Sequence, residues 1–266
     1  EQFASTAAIG ALYTIASSLA VFSFLFISRV LRKIGNVRLT VYLALAEIAA
    51  LVTLGLTDSS ATAIVAFVAF MTLNPLIYLS IDIFSENLIG NNEESTGSKR
   101  GLTLTLMSLA AMAGPLALGL IVGSDDGNLY KTYLISAGIF SLFILIVLAR
   151  FKTFHDPQYR EIKVLSAIQA FWDKKDIRNV FLAHFTLQMF FAWMVIYFPL
   201  YLATEIGFTW DVIGSIIAVG LFAYVLIEYP VGIIADKWLG EKEMMACGFL
   251  ILAVTASWIS FMAGAP

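Results

Sequence analysis

The sequence predicts an all-α polytopic membrane protein, and three observations carry that reading. Hydrophobic residues make up 60% of the 266 and charged residues 13%, against about 25% charged in an ordinary soluble domain. The apolar residues gather into continuous runs near the ~20 residues that a helix needs to cross a bilayer. Of the sixteen Lys and Arg residues, all but Lys131 fall in alternate gaps between those runs. A closed β-barrel would need short alternating strands instead.

Eight runs are expected to span: 3–27, 39–56, 61–83, 101–122, 132–149, 180–203, 212–235 and 244–263. The first has no basic stretch before it and no cleavage-site pattern, so it is not read as a signal peptide. Because the chain opens on Glu1, it is read as a fragment whose N-terminus lies upstream.

The gap after the first run holds Arg29, Arg32, Lys33 and Arg38, and the 86–100 gap holds Lys99 and Arg100. Seven more basic residues lie in 150–178, and Lys237 and Lys242 lie in 236–243. The alternate gaps carry Asp58, Asp125, Asp126, Glu205 and Asp211 with Lys131. Basic loops stay on the cytoplasmic side during insertion. The basic gaps are therefore expected in the cytoplasm and both chain ends outside, in a cytoplasmic (inner) or plasma membrane.

The 150–178 gap separates five runs from three. Within it Ile162, Leu165, Ile168, Phe171 and Trp172 recur near helical spacing. They predict a short amphipathic helix, lying on the membrane surface or packed as a linker. A single cysteine, Cys247, excludes a disulfide framework. Two distant histidines, His155 and His184, argue against a protein-built zinc site. The lack of a Gly-rich phosphate loop argues against ATP-driven pumping. No cofactor, metal or nucleic-acid partner is expected.

The most informative motif is Gly232-Ile-Ile-Ala-Asp236-Lys237-Trp-Leu-Gly240-Glu241-Lys242. Gly232 allows a neighbouring helix to come close. Asp236 can accept hydrogen bonds from a helix N-terminus, where the dipole favours an anion. Gly240 permits a sharp turn. The stretch resembles the signature loop of the major facilitator superfamily, with one extra residue before Gly240 and Glu241 at a basic position. That resemblance implies a bundle of twelve helices in two halves, with the eight runs matching helices two to nine.

The implied organisation is an N-terminal half-bundle over 1–150, a cytoplasmic central loop over 151–178, and the start of the C-terminal half over 179–266. The resemblance also implies that the loop network holds a cytoplasmic gate, and that a second copy lies in 28–38. There Lys33 and Gly35 keep the pattern, while Ser28 stands at the glycine position and Arg32 where the acid is expected, with Arg29 as a further basic residue of the loop. Gly114-Pro115 resembles the glycine–proline pair of the family's antiporters. It is equally a kink of the kind membrane helices tolerate.

Ionisable groups inside spans are expensive and usually functional. Glu47 lies nine residues past Arg38, about 13 Å along a helix. It either takes up a proton or is hydrogen-bonded between packed helices. Asp82 and Glu86 share a helical face near Arg100, as a breakable ion-pair network or as interfacial charge. Glu228, two turns before Asp236, is the leading coupling or gating acid, with a static pair as the alternative.

His184, Gln188, Trp193 and Tyr197 lie on the run that resembles a cavity-lining helix, as does Asn74 beside Pro75. These are candidate substrate contacts, with interhelical hydrogen bonding the rival role for His184. Tyr13, Thr14 and Ser17 on the opening run are further candidates. The expected function is secondary active transport of a small solute by alternating access, with the proton as coupling ion and efflux or antiport the direction. The alternative is a non-transporting receptor or assembly protein on the same scaffold. No nucleophile–base pair at motif spacing points to an enzyme.

Overall fold

The computed structural model describes residues 6–89, 96–122, 128–159 and 164–263. They form helices α1 (Thr6–Ile34), α2 (Asn36–Leu56), α3 (Ser60–Ile89), α4 (Thr96–Val122), α5 (Leu129–Arg150), α6 (Val164–Asp173), α7 (Lys175–Thr204), α8 (Trp210–Lys237) and α9 (Glu241–Ala263). No strand occurs among the described residues. Seven helices there, α1–α5, α7 and α8, are long and apolar enough to cross a membrane. The eighth expected run lies within α9, whose 23 residues extend about 35 Å.

Helical geometry reconciles the polar residues of these runs with an apolar solvent. Thr14, Ser18, Thr40, Thr72, Thr105 and Thr186 each donate their hydroxyl to the carbonyl four residues earlier, at 2.7–2.9 Å. Backbone polar groups in lipid must be satisfied within the helix or by neighbours, and these hydroxyls satisfy themselves in the same way. Pro75, Pro115, Pro199 and Pro230 all lie inside helices.

The chain groups into two compact units. The first comprises Glu1–Asn87 and Ala117–Gly214, the second Leu88–Leu116 and Ser215–Pro266. In the first unit α2 packs along α5. Its buried residues Asn36, Leu39, Thr40, Ala44, Glu47, Ala50 and Leu51 follow helical spacing on one face. Ala137, Ile144 and Val147 are buried on α5.

Small side chains set that approach. A Cβ at Gly55 would stand 3.0 Å from the Leu134 side chain and 3.3 Å from the Tyr130 carbonyl. A further cluster joins Ile27, Leu31, Leu39 and Leu76. Large apolar side chains such as Leu120, 88% exposed, face outward, as lipid-facing residues do where there is no hydrophobic penalty for exposure.

Two connections meet in the first unit. Gly35, at φ 78°, separates α1 from α2. After α5 the chain runs without helix through 151–159. Phe151 and Phe154 pack on Phe84 of α3, tilted and edge-on respectively, with ring centroids 4.2 and 4.8 Å away. Tyr159 packs against the Ile27–Leu76 cluster. Beyond this segment, α6 carries Leu165, Ile168 and Trp172 exposed, and Phe171 meets Phe181 of α7 edge-on at 5.1 Å. Ile162 lies outside the described residues.

Candidate functional site

The second unit contains a tight polar and glycine contact between α4 and α8. Gly97 and Gly101 stand four apart at the start of α4 and present one bare face, the spacing that lets membrane helices touch backbone to backbone. A Cβ at Gly232 of α8 would lie 2.5 Å from the Gly97 carbonyl oxygen, and one at Gly101 would lie 2.8 Å from the Glu228 carbonyl oxygen. One α-helical turn beyond Gly232, Asp236 reaches the open N-terminus of α4. Its carboxylate accepts hydrogen bonds from the Gly97 and Ser98 amides at 2.9 and 2.8 Å, and from the Ser98 hydroxyl at 2.7 Å.

The first amides of a helix have no partner inside it, and their partial positive charge favours an anion. Asp236 supplies both the partner and the charge. It stays exposed, so water can compete for each of these bonds.

Deeper in the same contact, the Ser108 hydroxyl donates to Glu228 Oε1 at 2.9 Å. Glu228 Oε2 is buried with no hydrogen-bond partner among the described residues. Side chains lean toward their helix N-terminus, which carries the Glu228 carboxyl away from Asp236 and toward Ser108. The turn after α8 is short: the Trp238 and Leu239 amides both donate to the Ile234 carbonyl, at 2.9 and 3.0 Å. Gly240 does not adopt a positive φ; Gly35 and Gly207 are the described glycines that do. A Cβ at Gly240 would instead approach Glu243 Oε2 at 2.5 Å. Lys237 and Lys242 are exposed.

In the 28–38 stretch the acid comes from elsewhere. Asp156 Oδ1 accepts the Asn36 amide at 2.7 Å, capping α2 as Asp236 caps α4. The Tyr159 hydroxyl also donates to Asp156, at 2.6 Å. Burial, this hydrogen bond and the Asp156 charge together push the Tyr159 phenol up from its ordinary range. Gly35 has no room for a side chain beside Asp156. Asp156 has no motif spacing to reveal it; the available signal is an acid followed by proline just after a helix, a common turn element. Arg29 lies over the Phe26 ring at 5.7 Å, and Arg32 and Lys33 are exposed.

Glu47 and Asn74 meet in the first unit. Asn74 Nδ2 donates to Glu47 Oε1 at 3.2 Å, and Glu47 is fully buried. Its Oε2 has no hydrogen-bond partner among the described residues. A cavity of roughly 570 Å³ lies between α1 and α7, lined by Gly10, Tyr13, Thr14, Ser17, Ser18, Val21, Ile196 and Tyr197. It gathers Tyr13, Thr14, Ser17 and Tyr197, and its lining holds no charged side chain. Tyr13 is braced edge-on by Phe67 at 5.5 Å.

Asn74 and the His184–Gln188 pair are not in that lining. The pair shares an exposed face, with 3.4 Å between Gln188 Nε2 and His184 Nε2. The Trp193 side chain lies outside the described residues. Asp82, Glu86 and Arg100 are exposed. Gly114 has open space around it; along the same helix it is Gly119 that allows a close approach, a Cβ there lying 3.0 Å from Asp211 Cα. Pro115 sits within α4. Comparison with protein-family models, curated proteins and solved structures finds no match to this chain.

Proposed function

We propose that the chain acts as a secondary active transporter of the major facilitator type, moving a small solute by alternating access with the proton as coupling ion. The observation that carries this reading is the Asp236 contact. A carboxylate follows a glycine that touches the opposing backbone, and it holds the start of α4 by three hydrogen bonds. Such a contact is specific in register yet sits in water, so it can open and close without burying a charge. This is what a gate needs.

Two further features support the reading. The hydroxyl-lined cavity between α1 and α7 suits a neutral or amphipathic solute, because uncharged hydroxyls orient a ligand without demanding an ionic partner. Glu47 and Glu228 each keep one carboxyl oxygen buried with no hydrogen-bond partner among the described residues, which suits groups that exchange a proton during a cycle. The bilayer is the working solvent, with efflux or antiport the favoured direction.

The test uses the full-length protein in sealed vesicles, screened against labelled solutes with an imposed pH gradient. The expected result is flux that the gradient drives, a protonophore abolishes and Asp236→Asn slows. Flux indifferent to the gradient would remove the proton from the mechanism. No flux for any solute, with Tyr13 and Tyr197 inaccessible to aqueous reagents, would favour the non-transporting receptor or assembly reading.

A further inference from the structure

A second cavity in the first unit, roughly 860 Å³, opens where α1 ends, α2 begins and the 151–159 segment crosses. Its lining has two characters. Arg32, Arg38 and Lys152 bring three positive charges, and Asp156 is the acid among the lining residues. Three cations against the one Asp156 carboxylate, itself held by the Asn36 amide and the Tyr159 hydroxyl, leave the lining with a basic excess. The other wall is apolar, built from Leu31, Ile34, Leu148 and Phe151.

A basic site for a free anion has no use for that wall, since apolar surface contributes nothing to holding phosphate. An amphiphile uses both. The pocket also sits at the ends of helices of membrane-crossing length, α1, α2 and α5, which is the depth of the headgroup layer. Lys and Arg stems lie along apolar surface with their charges at that layer, and basic pockets between membrane helices hold anionic headgroups.

We propose that this pocket seats an anionic phospholipid, with Arg38 and Lys152 holding the phosphate, Arg32 beside them, and the acyl chains against Leu148 and Phe151. The proposal rests on the chain spanning a bilayer and is independent of transport.

The test is lipid retention by the purified full-length protein, counted by native mass spectrometry after exchange into phosphatidylglycerol or phosphatidylcholine with identical chains. Wild type is expected to retain phosphatidylglycerol preferentially. Arg38→Gln with Lys152→Gln should reduce that preference about 30-fold, and Lys152→Met alone about fivefold. Lys131→Gln, outside the pocket, should leave it unchanged.

Glycerol phosphate and inorganic phosphate are offered as soluble competitors and should not displace the lipid. Three results would overturn the proposal: equal retention of the two lipids by wild type, an undiminished preference in folded Lys152→Met, or displacement by the soluble phosphates. Retention is read without any solute, so a failed transport assay leaves it standing, and the reverse also holds.

Discussion

Replacing Gly232 with valine should push α4 and α8 apart at a point where their backbones touch. A Cβ there would lie 2.5 Å from the Gly97 carbonyl oxygen and 3.1 Å from its carbon. Relaxed carbon–oxygen contacts between helices run about 3.3–3.6 Å, so the helices must separate by roughly 1 Å. That shift would stretch the Asp236 bonds to the Gly97 and Ser98 amides from 2.9 and 2.8 Å to roughly 3.8 Å, beyond hydrogen-bond reach.

Overpacking of this kind costs about 1–3 kcal/mol. Expressed as opening of the α4 N-terminus, that is roughly a 5- to 160-fold rise in amide exchange. Hydrogen–deuterium exchange of a peptide covering 96–104 reads it directly. Gly220→Val on the same helix is the control, because a Cβ at Gly220 meets no atom within 4 Å. Unchanged exchange at Gly97 and Ser98 in a folded Gly232→Val protein would refute the reasoning, since the glycine contact would then not be what holds the cap in place.

Three other outcomes follow from the first unit. Gly35→Ala should lower the melting temperature in detergent, because a φ of 78° costs a side-chain-bearing residue about 1–2 kcal/mol and the added methyl meets Asp156; an unaltered melt would mean that the turn readjusts freely. Asn74→Ala should destabilise by about 1–3 kcal/mol, as it strips a buried carboxyl of its hydrogen-bond donor, whereas Glu47→Gln should be milder; an unchanged thermal melt for Asn74→Ala would show the pair to be dispensable. Stability should fall as pH rises above about 10, where an unfolded tyrosine ionises while the folded Tyr159 phenol, held up by burial and Asp156, keeps its proton. Tyr159→Phe should flatten that alkaline slope.

The helices were legible because their signal is local: each apolar run is long, with at most one acid inside it, and polar residues or glycine mark most of its limits. The amphipathic pattern of 162–172 likewise pointed to α6. Asp236 was legible as an acid suited to a helix N-terminus, but its partner was not. The Gly97–Gly101 spacing that would have pointed to α4 sits at the edge of a polar gap, where a glycine reads equally well as loop.

Asp156 was missed for a related reason, since its role depends on Phe151 and Phe154 first anchoring the segment to Phe84. For α7, sequence chemistry drew attention to His184 and Gln188. Tyr197, named with them, does line the cavity beside Ile196, whereas His184 and Gln188 do not, because which face of an apolar helix meets a neighbour depends on packing that composition along its length does not encode.

The Asp236 cap also has a consequence for biogenesis. Ser98 and its acceptor are 138 residues apart, and synthesis proceeds at about 5–20 residues per second. The start of α4 therefore emerges roughly 7 to 28 seconds before the carboxylate that closes it exists. During that interval the nascent α4 must be held by water, lipid headgroups or the insertion machinery, and a slow codon stretch anywhere between the two would prolong its exposure.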